Sequence, residues 1–356
     1  MPFSLALPAE PRNRPSFRGM MITLCLLVVV RLGYAIYLPG TFAPETLDAF
    51  RRGAATAYFS VFQLGVSPLF TVMIIAEILK LCLPVLQRWE GRTPDNAARM
   101  VSLIRYFALF LAALQALGIA AALEAGGRVP EPGWIFRLET MVTLVAATAL
   151  LDWLATCITR SGFCNGFWLL LVAPSLAGVL NLFVILASLA HPATLQNPQL
   201  SIAVLAVPVV AVAMLVAIST SEYRQKVGRA RIAGSTAAAI DVWPPLLAYP
   251  VASFAITIAA SMPGNVRSFA LVEPGQPLHM LAIAAFIAII GYLRARTSGQ
   301  AVSFLTSLMI VAQIIICLAC EAVSHFAGVF GLIGGPFLIV VVALALDILY
   351  PQPKPL

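Results

Sequence analysis

Two ionisable residues stand inside an otherwise apolar stretch of the sequence. Glu77 and Lys80 interrupt the run LFTVMIIAEILKLCLPVL. Ionisable groups at membrane depth are costly and often belong to proton or ion pathways. Their spacing puts both on one helical face, where they can neutralise each other, and Lys80 can extend its ammonium group toward water at the end of the run. The spacing favours a structural pair facing a wet funnel, with a proton or ion site as the alternative.

The cysteines and histidines are the other residues that could bind metal or carry redox chemistry. Cys317 and Cys320 form a CxxC motif inside an apolar run, without the second Cys or His pair that a zinc site requires. Such surroundings favour packing, because cysteine then behaves as a small hydrophobe. His191, His279 and His325 stand near the ends of apolar runs, which predicts surface or interfacial positions. We therefore expect no metal site, no cofactor and no catalytic residue.

The elements that carry these residues are predicted to be membrane-spanning helices. Of 356 residues, 61% are hydrophobic and only 10% charged, which leaves no room for a soluble domain. A helical span needs about 20 mostly apolar residues, and the segment 53–62 is too short to cross. Windows of span length predict ten helices, at residues 19–38, 66–86, 100–123, 134–158, 167–190, 199–219, 243–263, 277–293, 301–322 and 330–349.

The second predicted span is broken near its start. There a short half-segment and a long helix meet at Gly65 and Pro68. In hydrocarbon, irregular backbone is tolerated only where protein covers it or where it lines a wet cavity. Pro244, Pro245 and Pro250 similarly open the seventh span, five spans later, and two halves of five spans would be inverted relative to each other. The sequence predicts an all-α polytopic membrane protein, with ten transmembrane helices in two inverted five-helix halves around a central pore.

The distribution of basic residues predicts the orientation. Most of the 22 Lys and Arg residues fall on the face that also holds both termini, so both termini are expected in the cytoplasm. The net charge of +7 therefore reflects topology, and the chain lacks the base-reading or stacking groups of a nucleic-acid-binding face. A GxxxxGK[ST] motif is also absent, which excludes nucleotide hydrolysis by a P-loop.

Several short motifs occur in a fixed order and carry a family resemblance. They are Val30-Arg-Leu-Gly-Tyr-Ala-Ile-Tyr-Leu-Pro-Gly40, Phe62-Gln-Leu-Gly-Val-Ser-Pro68, Ile104-Arg-Tyr-Phe with Leu114-Gln-Ala-Leu-Gly-Ile119, the stretch from Trp153 to Gly166, Glu273-Pro-Gly-Gln-Pro-Leu278, and Gly334-Gly335 followed by an apolar run to Asp347. Each motif alone is weak. Together, on a ten-span layout with a cytoplasmic N-terminus, they resemble the SecY family, the pore subunits of the general protein translocase.

The resemblance implies a clamshell of two halves around an hourglass pore, which opens axially for secreted chains and sideways, between spans two and seven, for membrane helices. No covalent catalysis is implied. The implied domains are a cytoplasmic segment 1–18, a first half 19–190 with a short plug-like segment 50–62, a second half 191–349 and a cytoplasmic tail 350–356. The matching positions form an apolar ring, which gates by dewetting. The ring residues are Val66, Phe70, Phe167, Leu171, Ala252 and Val340.

The chain is shorter than the family pattern at three places. Between Gly40 and Phe50 it lacks part of the segment that supplies the plug helix, and the cytoplasmic loops after spans six and eight are trimmed. The short loops argue against the usual docking of a ribosome or motor ATPase. Residues 224–231 could still bind an acidic partner or anionic lipid, or serve only as positive-inside charge. The docking candidates are Arg224, Lys226, Arg229, Arg231, Arg294 and Arg296.

Three further positions follow from the motifs. Arg31 matches an arginine of the family, and a buried ion pair is as well supported for it as a direct role. Its candidate partners are Asp152, Glu321 and Asp347. Gly162 and Gly166 flank a predicted turn before Phe167, where glycine would supply unusual backbone dihedrals.

The favoured hypothesis is a SecY-like channel subunit in a bacterial inner membrane. It would pass or insert polypeptides, assisted by a small SecE-like subunit and, as a further candidate, a SecG-like subunit. The first alternative is a SecY-like paralogue that does not conduct and instead assists assembly of other membrane proteins. The second is a small-solute transporter, which the apolar ring argues against because transporters place polar groups at the midplane.

Overall fold

The computed structural model describes residues 17–41, 60–161, 163–174, 213, 216–217, 241–261, 276–297, 304–327 and 334–349. Within these ranges the chain is helical or in turns, apart from one isolated bridge between Tyr37 and Ser60. The all-α prediction is therefore confirmed for this part of the chain. The chain divides into two compact units between Leu171 and Val172. The predicted boundary at residues 190 and 191 lies outside the described ranges and stays a prediction.

The helices divide between the two units. Those of the first unit are α1 (Phe17–Gly33), α2 (Ser67–Cys82), α3 (Pro84–Glu90), α4 (Pro94–Ala125) and α5 (Trp134–Arg160). Residues 166–174 are also helical. Those of the second unit are α6 (Trp243–Ser261), α7 (Pro277–Thr297), α8 (Phe304–Ala327) and α9 (Gly335–Leu349).

Three of the described helices are long and apolar enough to cross a membrane alone, namely α4, α5 and α7. The pair α2 and α3 qualifies only as a single broken span or a re-entrant loop, because the two helices are bent by 110° at the break between them. Shorter apolar helices occupy Thr306–Ala322 and Gly335–Leu346. The described residues thus contain three or four clear spans, and the predicted count of ten is not confirmed.

The bend between α2 and α3 corrects the prediction of one continuous helix over residues 66–86. Helix α2 ends at Cys82, and Leu83 takes non-helical dihedrals of φ −121° and ψ 85°. Proline disfavours helical dihedrals at the residue before it and cannot donate a backbone hydrogen bond. Pro84 therefore ends α2, and the chain turns into α3. By contrast, Pro250 lies inside α6 without ending it, and not at the start of the helix as expected.

Helices α4 and α5 pack closely because α4 presents a row of alanines. Ala108, Ala112, Ala116 and Ala120 recur every fourth residue and are fully or almost fully buried. Residues four apart share one helix face, and small side chains let helices in membranes approach closely. The core around this row also contains Leu38, Leu64, Leu123, Val129, Phe136 and Leu144.

A glycine controls a second close approach, between α5 and the turn that follows it. A Cβ atom on Gly166 would stand 2.0 Å from the carbonyl oxygen of Ala155. The Gly166 N–H donates to Oγ1 of Thr159 at 2.9 Å. Gly166 is not among the residues with positive φ, so the expected reason for this glycine was wrong. It is required by space and not by unusual dihedrals, while Gly162 lies outside the described residues.

The start of α6 is connected to α7 and α8 through Asp241. Its Oδ1 accepts from the Trp243 N–H at 3.2 Å and so satisfies the first backbone donor of the helix. Its Oδ2 accepts from Nε of Arg294 on α7 at 2.8 Å, and its backbone carbonyl accepts from Nε2 of Gln313 on α8 at 2.7 Å. The contacts hold three helices at one point.

We expect Gly166→Ala to destabilise the protein by about 1–3 kcal/mol, the usual cost of overpacking, because the added methyl group collides with the Ala155 carbonyl. Gly118→Ala in α4 is the matched control. Nothing lies within 4 Å of its Cβ position, and it should stabilise by about 1 kcal/mol through helix propensity. Equilibrium unfolding of the purified variants in detergent measures both changes. Equal stability of the two variants would contradict the steric argument.

Candidate functional site

The turn before α2 is anchored to the end of α1. A Cβ atom on Gly33 would lie 2.1 Å from the Phe62 ring, so this ring packs directly on the α1 backbone. The Tyr34 and Phe62 rings meet edge to face with centroids 5.8 Å apart. The Val61 N–H donates to the Ile36 carbonyl at 2.9 Å. The irregular segment is therefore covered by protein, as non-helical backbone at membrane depth requires.

The predicted break at Gly65 is present. Gly65 has a positive φ of 56°, which glycine adopts without steric cost, and its N–H donates to the Phe62 carbonyl at 2.8 Å. Helix α2 then begins at Ser67, with Pro68 in its first turn. Of the two ring positions here, Val66 is buried and Phe70 half-buried.

Lys80 lies at the centre of a charged triad. Its Nζ is 3.1 Å from Oε1 of Glu77 and 2.8 Å from Oε2 of Glu90. The pair expected from the i,i+3 spacing is therefore present. The expectation that Lys80 extends into water was wrong, because Lys80 is only 7% exposed. The bend at Leu83 carries Glu90 back toward α2, so Lys80 meets a second carboxylate instead of solvent.

The remaining ring positions are also apolar and buried. Phe167 packs edge to face on Trp168 with centroids 5.2 Å apart, and its N–H donates to Oδ1 of Asn165 at 3.1 Å. Leu171 follows one turn later. In the second unit, Ala252 and Val340 are almost completely buried. The assembly of these residues into one ring stays a prediction.

Arg31 is exposed on α1, and two of its three candidate partners are engaged elsewhere. Asp152 pairs with Arg105 at 3.0 Å between Oδ2 and Nε. Glu321 pairs with Nδ1 of His279, and the side chain of Asp347 lies outside the described residues. The burial of His279 contradicts the surface position expected for it, while the side chains of His191 and His325 are not described.

Arg294 on α7 stabilises the start of α6. Besides its bond to Asp241, its guanidinium carbon lies 6.0 Å from the centre of the Trp243 ring. Arg296 is exposed. The other docking candidates, at 224–231, lie outside the described residues.

The cysteines of the CxxC motif are buried free thiols. A Cβ atom on Gly335 would lie 2.5 Å from Cα of Cys317, so the first turn of α9 packs directly on α8 at this point. The packing predicted for Cys317 and Cys320 is confirmed. Among the described residues, no group of three His, Cys, Asp or Glu side chains is arranged to hold a metal ion.

The ionic contacts between helices were largely missed at the sequence level. Glu90 stands ten residues from Lys80, and Arg105 and Asp152 are far apart in sequence. One signal was present for the latter pair: both stand near the expected cytoplasmic ends of consecutive antiparallel spans. Opposite charges at equal depth on adjacent helices are natural partners, because an unpaired charge there is costly.

We expect Lys80→Met to destabilise the protein by about 3–5 kcal/mol, since removal of one partner leaves buried charge uncompensated. Adding Glu77→Gln should recover part of that loss. Arg88→Met on exposed α3 is the matched control and should change stability by less than about 0.5 kcal/mol. Unfolding in detergent provides the measurement, and similar losses in Lys80→Met and Arg88→Met would refute a stabilising triad.

Comparison with known proteins gives one consistent result. The model of the SecY family matches residues 60–307. A protein translocase subunit SecY of Rickettsia conorii is 26% identical over 304 residues, which is 75% of this chain and 70% of that protein. A protein translocase subunit SecY of Escherichia coli K12 is 28% identical over 308 residues, covering 76% and 69%.

Solved structures give the same fold. The chain aligns with Sec61 in the canine ribosome-channel complex from the endoplasmic reticulum with a TM-score of 0.59 at 12% identity, over 98% of this chain and 94% of that one. It aligns with the structure of a protein conducting channel with a TM-score of 0.56 at 14% identity, over the same shares of both chains. Because the family model covers well over half of the sequence and the fold agrees, this chain belongs to the SecY family.

Proposed function

We propose that this chain is a shortened protein-conducting channel subunit, which passes polypeptides across a bacterial inner membrane or inserts them into it. The observation that carries the proposal is the SecY family match over residues 60–307, which includes the break at Gly65 and every ring position except Val340. In this proposal ten spans form two inverted halves, both termini are cytoplasmic, and the reaction forms no covalent bond.

The waist of the proposed pore consists of Val66, Phe70, Phe167, Leu171, Ala252 and Val340. All are apolar, which suits a seal that gates by dewetting and offers a passing peptide no specific hydrogen bond. Ala252 contributes the smallest side chain, so we expect the seal to be thinnest there. The short connection between Gly40 and Phe50 leaves less chain for a plug, which places more of the closure on this ring.

The proposed partners are a small SecE-like membrane subunit, with a SecG-like subunit as a further candidate. Sec61 was solved in a ribosome-channel complex, but ribosome or motor docking is less well supported for this chain. The loop after α7 is short, and Arg294 is engaged with Asp241 and Trp243. Of the described docking candidates, Arg296 is the exposed one.

A small-solute transporter is the weaker alternative. It would need a polar group at the passage, and its best candidate is Glu77. That carboxylate contacts Lys80 in a buried pair, which supports a structural role. Solute uptake that depends on this chain and is abolished by Glu77→Gln, with protein stability unchanged, would favour the transporter.

We expect a photoreactive phenylalanine analogue at Phe167 to form adducts with an arrested nascent chain in membrane vesicles. The same analogue at Phe107, which is exposed on α4, should form few adducts and is the matched control. The yield of crosslinked product on gels is the measurement. No adducts at Phe167, while an ordinary SecY is labelled in parallel, would exclude passage of polypeptide along this route.

We expect Phe70→Gly to raise ion conductance in planar bilayers, because it removes one aromatic side chain from the proposed apolar seal. Phe110→Gly on the exposed face of α4 removes the same side chain elsewhere and should leave conductance low. Single-channel recording distinguishes the two. If neither variant conducts although both are folded, the non-conducting assembly paralogue becomes the better description.

A further inference from the structure

A small cavity of about 280 Å³ lies between α2, α4 and α5 in the first unit. Its polar lining comes from Arg105 and Ser102 on α4 and from Thr148 and Asp152 on α5. Leu69 and other apolar side chains form the rest of the wall. A mostly apolar cavity with a few convergent polar groups is the usual form of a small-ligand site.

The charged pair in this cavity has capacity for further partners. Arg105 Nε is 3.0 Å from Asp152 Oδ2, but it is not aligned for a hydrogen bond. Its NH2 group donates to Thr156 Oγ1 at 3.2 Å. A guanidinium carries five N–H donors, more than these two contacts use. The two side chains are 36% and 25% exposed, so a ligand can reach both from outside.

The two hydroxyl groups can also receive a ligand. Ser102 Oγ donates to the Ala98 carbonyl at 3.1 Å, and Thr148 Oγ1 donates to the Leu144 carbonyl at 3.0 Å. Each hydroxyl therefore donates its one hydrogen bond to a backbone carbonyl of its own helix. Since a hydroxyl oxygen also accepts hydrogen bonds, the cavity offers an N–H donor two further acceptors beside the Asp152 carboxylate.

The cavity opens on the outer surface of the helices. Tyr106 lines it and is 71% exposed, and Trp153, next to Asp152, is 60% exposed. Tyrosine and tryptophan are enriched where lipid headgroups meet the hydrocarbon. Asp152 lies about 12 Å along the axis from the end of α5 at Arg160, in the half of the helix nearer that end.

From these features we propose that the cavity binds the headgroup of a zwitterionic, amine-bearing phospholipid of the ethanolamine type. The phosphate oxygens accept from Arg105, and the ammonium group donates to Asp152, Ser102 and Thr148. One cation and one anion on the protein match one of each on the headgroup. An anionic headgroup without an amine would leave Asp152 facing negative charge, and a choline headgroup has no N–H to donate. Leu69 then contacts the first methylenes of the acyl chains.

The test is a lipid titration of the purified full-length chain in lipid-free detergent, followed by native mass spectrometry. Ethanolamine, choline and glycerol phospholipids with identical acyl chains are compared. We expect the ethanolamine lipid to bind first, and Arg105→Gln to weaken that binding by about tenfold, the loss of a charge-assisted hydrogen bond. Equal binding of the ethanolamine and choline lipids by the unmodified chain would overturn the proposal.

Arg137→Gln is the matched control, because Arg137 pairs with Glu124 between the same two helices, with 2.8 Å between Nε and Oε2. It should change ethanolamine-lipid binding by less than twofold. An equal loss in Arg137→Gln and Arg105→Gln would mean that the variants act on the fold, and it would overturn the site. Melting temperature and helical content accompany each variant.

Asp152→Asn keeps the proposal testable even if Arg105→Gln does not fold. It should bring the affinity ratio of ethanolamine to choline lipid close to one and strengthen binding of the glycerol lipid, because it removes the negative charge. An unchanged ratio would exclude Asp152 as the ammonium site. Soluble glycerophosphoethanolamine should compete weakly. Competition at concentrations equal to the lipid would identify a soluble phosphoester as the ligand instead.

Discussion

In hydrocarbon, every charged or backbone polar group must find its partner within the protein, and this constraint organises the structure around the start of α2. The non-helical segment before α2 is acceptable there because the Phe62 ring packs on Gly33 and the turn bonds to the end of α1. The charged end of α2 is acceptable because Lys80 contacts both Glu77 and Glu90. The start of α2 is therefore fixed to α1 on one side.

The same constraint accounts for the way the helices are joined within each unit. Helices α4 and α5 are connected near their two ends by different Arg–carboxylate pairs, Arg105 with Asp152 and Arg137 with Glu124, and in between by a row of alanines. The alanines permit close approach, whereas the ion pairs select the register. In the second unit, Asp241 has a comparable role for three helices. Non-directional packing of small side chains thus brings the helices together, and directional ion pairs and hydrogen bonds align them.

Much of the fold could be read from the sequence because it depends on local properties. Hydropathy predicted the helices at 100–123 and 134–158, which lie within α4 and α5. The break at Gly65 followed from Gly and Pro in an apolar run. Some local inferences failed for identifiable reasons. For example, Pro84 ends α2 early, and Gly166 is required by the nearby carbonyl of Ala155, a neighbour that sequence spacing does not reveal. The predicted ring residues are apolar, but their assembly depends on contacts that periodicity does not encode.

By itself, the sequence determined that this is a helical membrane protein, that the chain breaks at Gly65 before α2, and which family its motifs resemble. These properties reside in composition and in the conformational limits of glycine and proline, which act within a few residues. Only the tertiary structure decided the partners of the ionisable groups: Glu90 for Lys80, Asp152 for Arg105 and Glu321 for His279. Such partners depend on how each helix is rotated and bent against its neighbours, because a charge at membrane depth pairs with the opposite charge that packing brings within reach.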